Sequence, residues 1–301
     1  MLYKPRTKPA ELQILSALNT RMTLSTKDRQ HFFNLSKGYE GEVKFDALTE
    51  KLQCDCYILN DLLLQANNAT FQIDTLIITA KTIYIYEVKN HEGEYYYESE
   101  KLFKLPQYEI VNPLHQSGRS ESLLRQLLLK HKVSLPIEAS VVFINPEFTL
   151  YQAPLDKPII LPTQVKKHLS QLNSIPSALN EKHKRLADKL CALHIQESPY
   201  QKLPSYTYEE LRKGIPCLKC HSLSTVVEGH KLECRECCHK EALANTIMRA
   251  VKEFMLLFPK HKITTRAIHD WCRIVYSHRR IQKVLNQHFT RVGSNRWIYY
   301  K

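Results

Sequence analysis

Asp74 sits in Gln72-Ile73-Asp74, inside an apolar, β-branched run (70–79), and Glu87 follows thirteen residues later in Glu87-Val88-Lys89, inside a second such run (82–90). Charges in the middle of strands that otherwise favour burial are costly unless paired or bound to a cation. In a strand, alternate residues share a face. Glu87 and Lys89 therefore share a face with Ile83 and Ile85, and Gln72 and Asp74 share one with Leu76 and Ile78. Paired as a hairpin, the strands bring Asp74 towards Glu87, and the two carboxylates repel unless a cation lies between them. An oxygen-only donor set suits Mg2+ or Mn2+. Such an ion acidifies water and polarises a phosphoryl oxygen, which is the chemistry of phosphodiester hydrolysis. Lys89 can orient the water or offset charge building on phosphate. The competing reading is a solvated strand face with ordinary charges.

A second ligand pattern lies far downstream. Cys217-x-x-Cys220 and Cys234-x-x-Cys237 are separated by thirteen residues. Two such knuckles supply four thiolates for tetrahedral Zn2+, and four thiolates fill its shell, so the expected site is structural: a zinc ribbon. The residues between, 224–227 and 231–233, suit a β-hairpin. Disulfides compete with this reading, but the N-terminus lacks a signal-peptide core, which points to the cytoplasm and to reduced thiols. Cys238, His221 and His239 compete as ligands. Cys54, Cys56, Cys191 and Cys272 have no ligand spacing and read as small apolar residues.

The elements that must position these groups are legible in outline. Helical spacing covers 8–53, with Ser25 or Thr26 capping a second helix that Gly38 and Gly41 interrupt. Strands are expected at 57–65, 70–79 and 82–90, then a Tyr-rich hairpin at 93–104. A helix at 113–132, a strand at 138–145, a strand near 158–161 and helices near 163–172 and 179–195 complete an α/β domain with a mixed sheet. The Pro- and Tyr-rich stretch 198–208 reads as linker.

The formal charge is +13 and it is uneven. Residues 211–301 hold 18 Lys and Arg against 6 Asp and Glu; residues 1–210 hold 25 against 24. The last third expects a polyanion as partner, DNA first, with RNA the alternative. No apolar run approaches the roughly 18 residues of a membrane span. After the cysteines, an amphipathic helix at 241–258 is followed by a helix capped by Thr264 or Thr265 and another capped by Ser277. The last would expose Arg279, Arg280, Gln282, Lys283 and Asn286. Two short strands around Gly293-Ser294-Asn295 then carry Arg291 and Arg296. Three helices, the third basic, and a β-hairpin resemble a winged helix-turn-helix, whose third helix enters a DNA major groove while its wing contacts phosphate. A solvated charged face is the plainer alternative.

Several motifs stand together in order: Gly41-Glu42, Gln72-Ile73-Asp74, Glu87-Val88-Lys89-Asn90 with Gly93, and Asn112-Pro113-Leu114-His115-Gln116. Over about residues 36–150 they resemble the NERD (nuclease-related domain) family, grouped with the PD-(D/E)XK nucleases. The resemblance implies a PD-(D/E)XK-like mixed-sheet core in which Asp74 and Glu87 bind the metal and Lys89 is the catalytic lysine. It implies further that Glu42 completes the metal shell from a helix and that Gln116 positions metal or substrate. Related exonucleases often place a Tyr four residues after that Gln; Ser120 stands there in this chain.

The expected organisation is thus a nuclease-like domain at 1–197, a linker at 198–212, a zinc ribbon at 213–240 and a winged-helix-like basic domain at 241–301. The expected function is Mg2+- or Mn2+-dependent cleavage of DNA, and the alternative is an inactive nucleic-acid-binding adaptor or regulator.

Overall fold

A computed structural model describes residues 1–196, 200–294 and 297–301. In chain order the elements begin with β1 (Leu2–Lys4), α1 (Ala10–Arg21), α2 (Thr26–Thr49), β2 (Tyr57–Ala66), β3 (Ala69–Ile78) and β4 (Ile83–Lys89). There follow β5 (Gly93–Glu98), β6 (Lys101–Lys104), β7 (Tyr108–Ile110), α3 (Pro113–Lys130), β8 (Ile137–Phe143), β9 (Phe148–Tyr151), β10 (Ile159–Ile160), α4 (Val165–Asn173) and α5 (Glu181–Ala192). The remainder comprises β11 (Thr225–Glu228), β12 (Lys231–Cys234), β13 (Lys240–Ala242), α6 (Leu243–Leu257), α7 (Thr265–Cys272), α8 (His278–His288), β14 (Arg291–Val292) and β15 (Tyr299–Tyr300).

The chain divides into two compact units. The first comprises Met1–Lys8 and Asn34–Tyr200, the second Pro9–Phe33 and Gln201–Lys301. The boundary at the start of the chain differs from the sequence expectation, which kept all of 1–197 together. The reason is hydrophobic: Ile14, Leu18 and Leu24 are buried in one core with Leu211, Ile247 and Val251. Arg21, fully buried, reinforces that grouping through an ion pair to Glu253 Oε2 at 2.6 Å and a stack on Trp271 at 3.9 Å.

The first unit is built on a six-stranded mixed sheet ordered β1-β2-β3-β4-β8-β10. β3 runs antiparallel to both of its neighbours, β2 and β4, while β4 with β8 and β8 with β10 are parallel. One sheet face packs Leu76, Ile78, Ile83 and Ile85 against Leu124 and Leu128 of α3 and Leu186 and Leu190 of α5. The other packs Ile77, Tyr84, Tyr86 and Val88 against Phe45 of α2 and Leu169 of α4. A second, four-stranded sheet, β7-β6-β5-β9, lays Tyr95 and Phe148 over Val141 and Phe143.

Two local expectations fail for identifiable reasons. α2 is continuous, not interrupted at its glycines. Gly41 is there for contact: a Cβ at this position would lie 2.5 Å from Asn90 Cβ. Along β3 the inward parity changes, because Phe71 and Ile73 share one core with Leu76 and Ile78. Gln72 is therefore exposed while Asp74 is buried, and the two do not share a face with Leu76 as simple alternation requires. The partner strand shifts in step: Leu59, Leu62 and Leu64 lie in the same core, and Asp61 between them takes φ +55°.

In the second unit β11, β12 and β13 form an antiparallel sheet, and α6, α7 and α8 bury Phe254, Ile268, Trp271 and Leu285. β14 pairs with β15, and Ile263 bridges to Tyr300. The part of the expected linker from Gln201 onward packs into this unit: Tyr206 donates to the Leu257 carbonyl at 3.1 Å and Tyr208 to Asp270 at 2.5 Å. Ser198 and Pro199 lie outside the described residues. Among the described residues no helix is long and apolar enough to cross a membrane.

Candidate metal centres

Asp74 stands at the end of the β3–β4 ladder, whose last cross-strand pair is Thr75 with Tyr86. Beyond it the Asp74 side chain takes over the bonding: its Oδ2 accepts the Val88 N–H at 2.8 Å. Glu87 and Lys89 lie on the neighbouring stretch of β4, tied to Val141 and Phe143 of β8. The Lys89 ammonium lies 2.7 Å from Glu87 Oε1 and donates to Gln116 Oε1 at 3.1 Å. Gln116 reaches it from the first turn of α3, which Asn112 caps by accepting the Leu114 N–H at 3.0 Å. The Ser120 hydroxyl, one turn on, bonds to the Gln72 carbonyl instead of entering this group.

The carboxylates are held at a cost. Asp74 is 6% exposed and Glu87 4%. Burial raises the pKa of Asp74, against the pull of Lys89, the Val88 N–H and Arg6. Burial and the charge of Asp74 push Glu87 up to about 7. Glu42, on α2, rises to about 8 through burial and the same Asp74, with Arg6 opposing. Burial thus disfavours the charged form of each group even with Lys89 on Glu87 and Arg6 on Glu42, and a hard cation would offset that cost; all donors are oxygens, a set that suits such an ion. Their donor atoms are not yet gathered. Among the described residues the set of three or more Cys, His, Asp or Glu with all ligand atoms within 4.8 Å of one another is the cysteine set.

Sequence reasoning missed three participants. Arg6 joins Glu42 and Asp46 in ion pairs of 2.6 and 2.8 Å. Asp46 falls one helical turn after Glu42, a spacing that could have flagged it. Asp61 also acts on Glu42 and Asp74 by its charge. Nothing local in the sequence singles out Arg6.

The four thiols Cys217, Cys220, Cys234 and Cys237 lie together on two turns flanking the β11–β12 hairpin. Cys217 and Cys237 sulfurs are 3.6 Å apart, Cys220 and Cys234 sulfurs 3.5 Å. Disulfide sulfurs sit at about 2.0 Å. A tetrahedron of thiolates about 2.3 Å from zinc has edges of roughly 3.8 Å, so this cluster is compatible with a zinc ribbon. Cys238, His221 and His239 are not in the set. Cys238 and His221 each follow a knuckle with positive φ, at +56° and +58°.

On α8, Ile281, Val284 and Leu285 are buried while Arg279, Arg280, Gln282, Lys283 and Asn286 are exposed. Two of the exposed groups have internal partners: Arg280 donates to the Gly229 carbonyl at 2.6 Å, and Asn286 accepts from Tyr300 at 3.0 Å. Arg291 is exposed. Arg296, and Asn295 of the expected turn, lie outside the described residues. Thr264 caps α7 by accepting the Ala267 N–H at 3.1 Å; Ser277 occupies the N-cap of α8 without a side-chain bond.

Residues 37–144 match the family model described as "Nuclease-related domain". The matched stretch contains Glu42, Asp74, Glu87, Lys89 and Gln116 and ends before the four clustered cysteines. No curated protein and no solved structure matches the chain.

Proposed function

We propose that this nuclease-related domain is an active, Mg2+- or Mn2+-dependent nuclease that cleaves DNA, with the second unit holding the substrate. The observation that carries the reading is the buried acid pair, Asp74 and Glu87, beside a lysine that Gln116 orients. When bound, the divalent cation supplies an acidic water and offsets phosphoryl charge. Asp74 and Glu87 hold it, and Glu42, whose Oε2 is engaged by Arg6, offers its remaining oxygen. Lys89 must exchange its partner: its ammonium leaves Glu87 for the scissile phosphate or the attacking water, with Gln116 keeping it in place. The catalytic set is therefore Glu42, Asp74, Glu87, Lys89 and Gln116.

In the second unit Cys217, Cys220, Cys234 and Cys237 hold structural Zn2+, which as four thiolates requires a reducing compartment, the cytoplasm. The helices α6–α8 with β14 and β15 act as a winged helix-turn-helix. Arg279, Gln282 and Lys283 face the duplex, with Arg291 on the wing; Arg280 and Asn286 reach it on giving up internal bonds. RNA is distinguished from DNA by competition at equal length.

The test is cleavage of linear, circular and single-stranded substrates with and without Mg2+ or Mn2+. Asp74→Ala should lose cutting by at least about 100-fold, the scale of losing an electrostatic stabiliser, and still bind DNA. Cutting unchanged by Asp74→Ala removes this site. One observation favours a second reading, an inactive nucleic-acid-binding adaptor: Lys89 already neutralises Glu87 and the acids are not gathered. That reading expects binding without metal-dependent cleavage.

A further inference from the structure

The N-terminal segment brings a fixed positive charge to the carboxylates. β1 pairs in parallel with β2, and Lys4 donates to the carbonyls of Asn60 and Asp61, each at 2.8 Å. Two residues on, the Arg6 side chain is 3% exposed. Its Nη1 meets Glu42 Oε2 at 2.6 Å, and its Nε and Nη2 take the two oxygens of Asp46 at 2.8 and 3.1 Å. Nη2 also donates to the Asp74 carbonyl at 2.7 Å. A guanidinium thus stands where Glu42, Asp46 and the Asp74 carbonyl would otherwise present four oxygens to a hard cation.

Resting on the nuclease reading, we propose that the first unit takes a single divalent cation, at Asp74 and Glu87, because Arg6 fills the adjoining oxygen-rich position that a second cation would need. Two-metal sites set their ions about 3.5–4 Å apart around shared carboxylates. Here Asp74 is common to both clusters: its side chain faces Val88, beside Glu87, and its carbonyl faces Arg6. Arginine stays protonated at any pH a folded protein meets, and its fork binds Asp46 through both oxygens. The positive charge in the second position is therefore built into the chain and does not depend on metal concentration. Burying Glu42 and Asp46 without a cation is unfavourable, so removing Arg6 leaves a vacancy that Mn2+ can fill.

The experiment is Mn2+ binding to the zinc-loaded full chain, followed by electron paramagnetic resonance, with cleavage measured on the same samples. Wild type should bind one Mn2+ in the first unit, lost in Asp74→Ala, and cleavage should rise with metal at a Hill coefficient near 1. Arg6→Ser should bind two, with dipolar broadening between them, and Asp46→Asn in that background should return the count to one. Arg6→Gln, neutral but similar in size, serves if Arg6→Ser does not fold. Two ions in wild type, or one ion in both folded Arg6 variants, overturn the proposal. One ion in wild type and two in the variant, with no cleavage in either, would sustain it while the nuclease reading fails. No Mn2+ bound to wild type would remove both.

Discussion

The two sets of candidate metal ligands differ in how they are held. The four thiols of the second unit already lie within 4.8 Å of one another. The acids of the first unit form no such gathered set among the described residues and are instead paired with cations from the chain itself, Lys89 on Glu87 and Arg6 on Glu42. The cysteines come from two turns whose conformation is set locally. The acids come from a helix and two consecutive strands, and on the proposed reading their charges must stay available for chemistry. A site that only braces a fold can be assembled in advance; a site that reacts is kept short of its lowest energy.

That contrast can be broken by mutation. The largest effect should follow loss of a cysteine. Structural zinc in small domains contributes about 10–16 kcal/mol, and Leu232 of β12 lies in the core that contains α6. Cys217→Ser or chelation should therefore remove zinc and abolish the cooperative unfolding of the second unit, read by zinc content and calorimetry. An unchanged transition would show that the cluster braces nothing. Next in size is Gly41→Ala, where the added methyl meets Asn90 at 2.5 Å. Overpacking of this kind costs about 1–3 kcal/mol, measurable by denaturant unfolding; a neutral result would mean that α2 can retreat from β4.

The reverse sign is expected at the acids. Asp74→Asn relieves a buried charge while keeping an oxygen for the Val88 N–H, and should leave the metal-free protein as stable or up to about 2 kcal/mol more stable. Destabilisation would place Asp74 with the cysteines as a structural group. The pH dependence sharpens this point. Folding raises Glu87 to about 7 and Glu42 to about 8 from an ordinary 4.5. Between pH 4.5 and those values the folded state holds more protons than the unfolded state, so this contribution to stability is full at acid pH and is lost as pH rises through the window. Glu87→Gln should flatten that slope in urea melts of metal-free protein, and Mg2+ should do the same. Smallest is the surface: Arg279→Ala with Lys283→Ala should leave stability within about 0.5 kcal/mol but reduce the salt dependence of DNA binding by up to about 0.9 log units per log unit of salt for each contact removed.

How much was legible follows the same division. The cysteine cluster could be read because its members are short-range repeats. The strands β2, β3, β4, β8 and β10 and the helices α3, α4 and α5 follow hydrophobic period, with side-chain caps at α3 and α5, and they lie close to the expected bounds. β1, β7 and β9 are three or four residues long and carry no periodicity to read, so they were missed. The candidate carboxylate site was visible as residue types, because charges in apolar strands are anomalous. Its wiring was not. The partner of Glu42 lies 36 residues away at Arg6, in a segment with no pattern of its own. The apolar spacing of α1 announced a helix with a buried face but could not say which core would receive it.

The shift of phase in β3 between Ile73 and Leu76 has a consequence for how this domain tolerates change. A strand with a strict two-residue beat accepts the loss of a residue at its centre only by turning every later side chain over. Here the beat is already offset at Asp74, and Asp61 opposite carries the matching left-handed backbone. Shortening either strand by one residue at that step would tidy the weave and point the acid elsewhere. The irregularity is thus a fixed length written into two strands at once, and natural variation in this sheet should spare it while loops such as 99–100 and 152–157 grow and shrink.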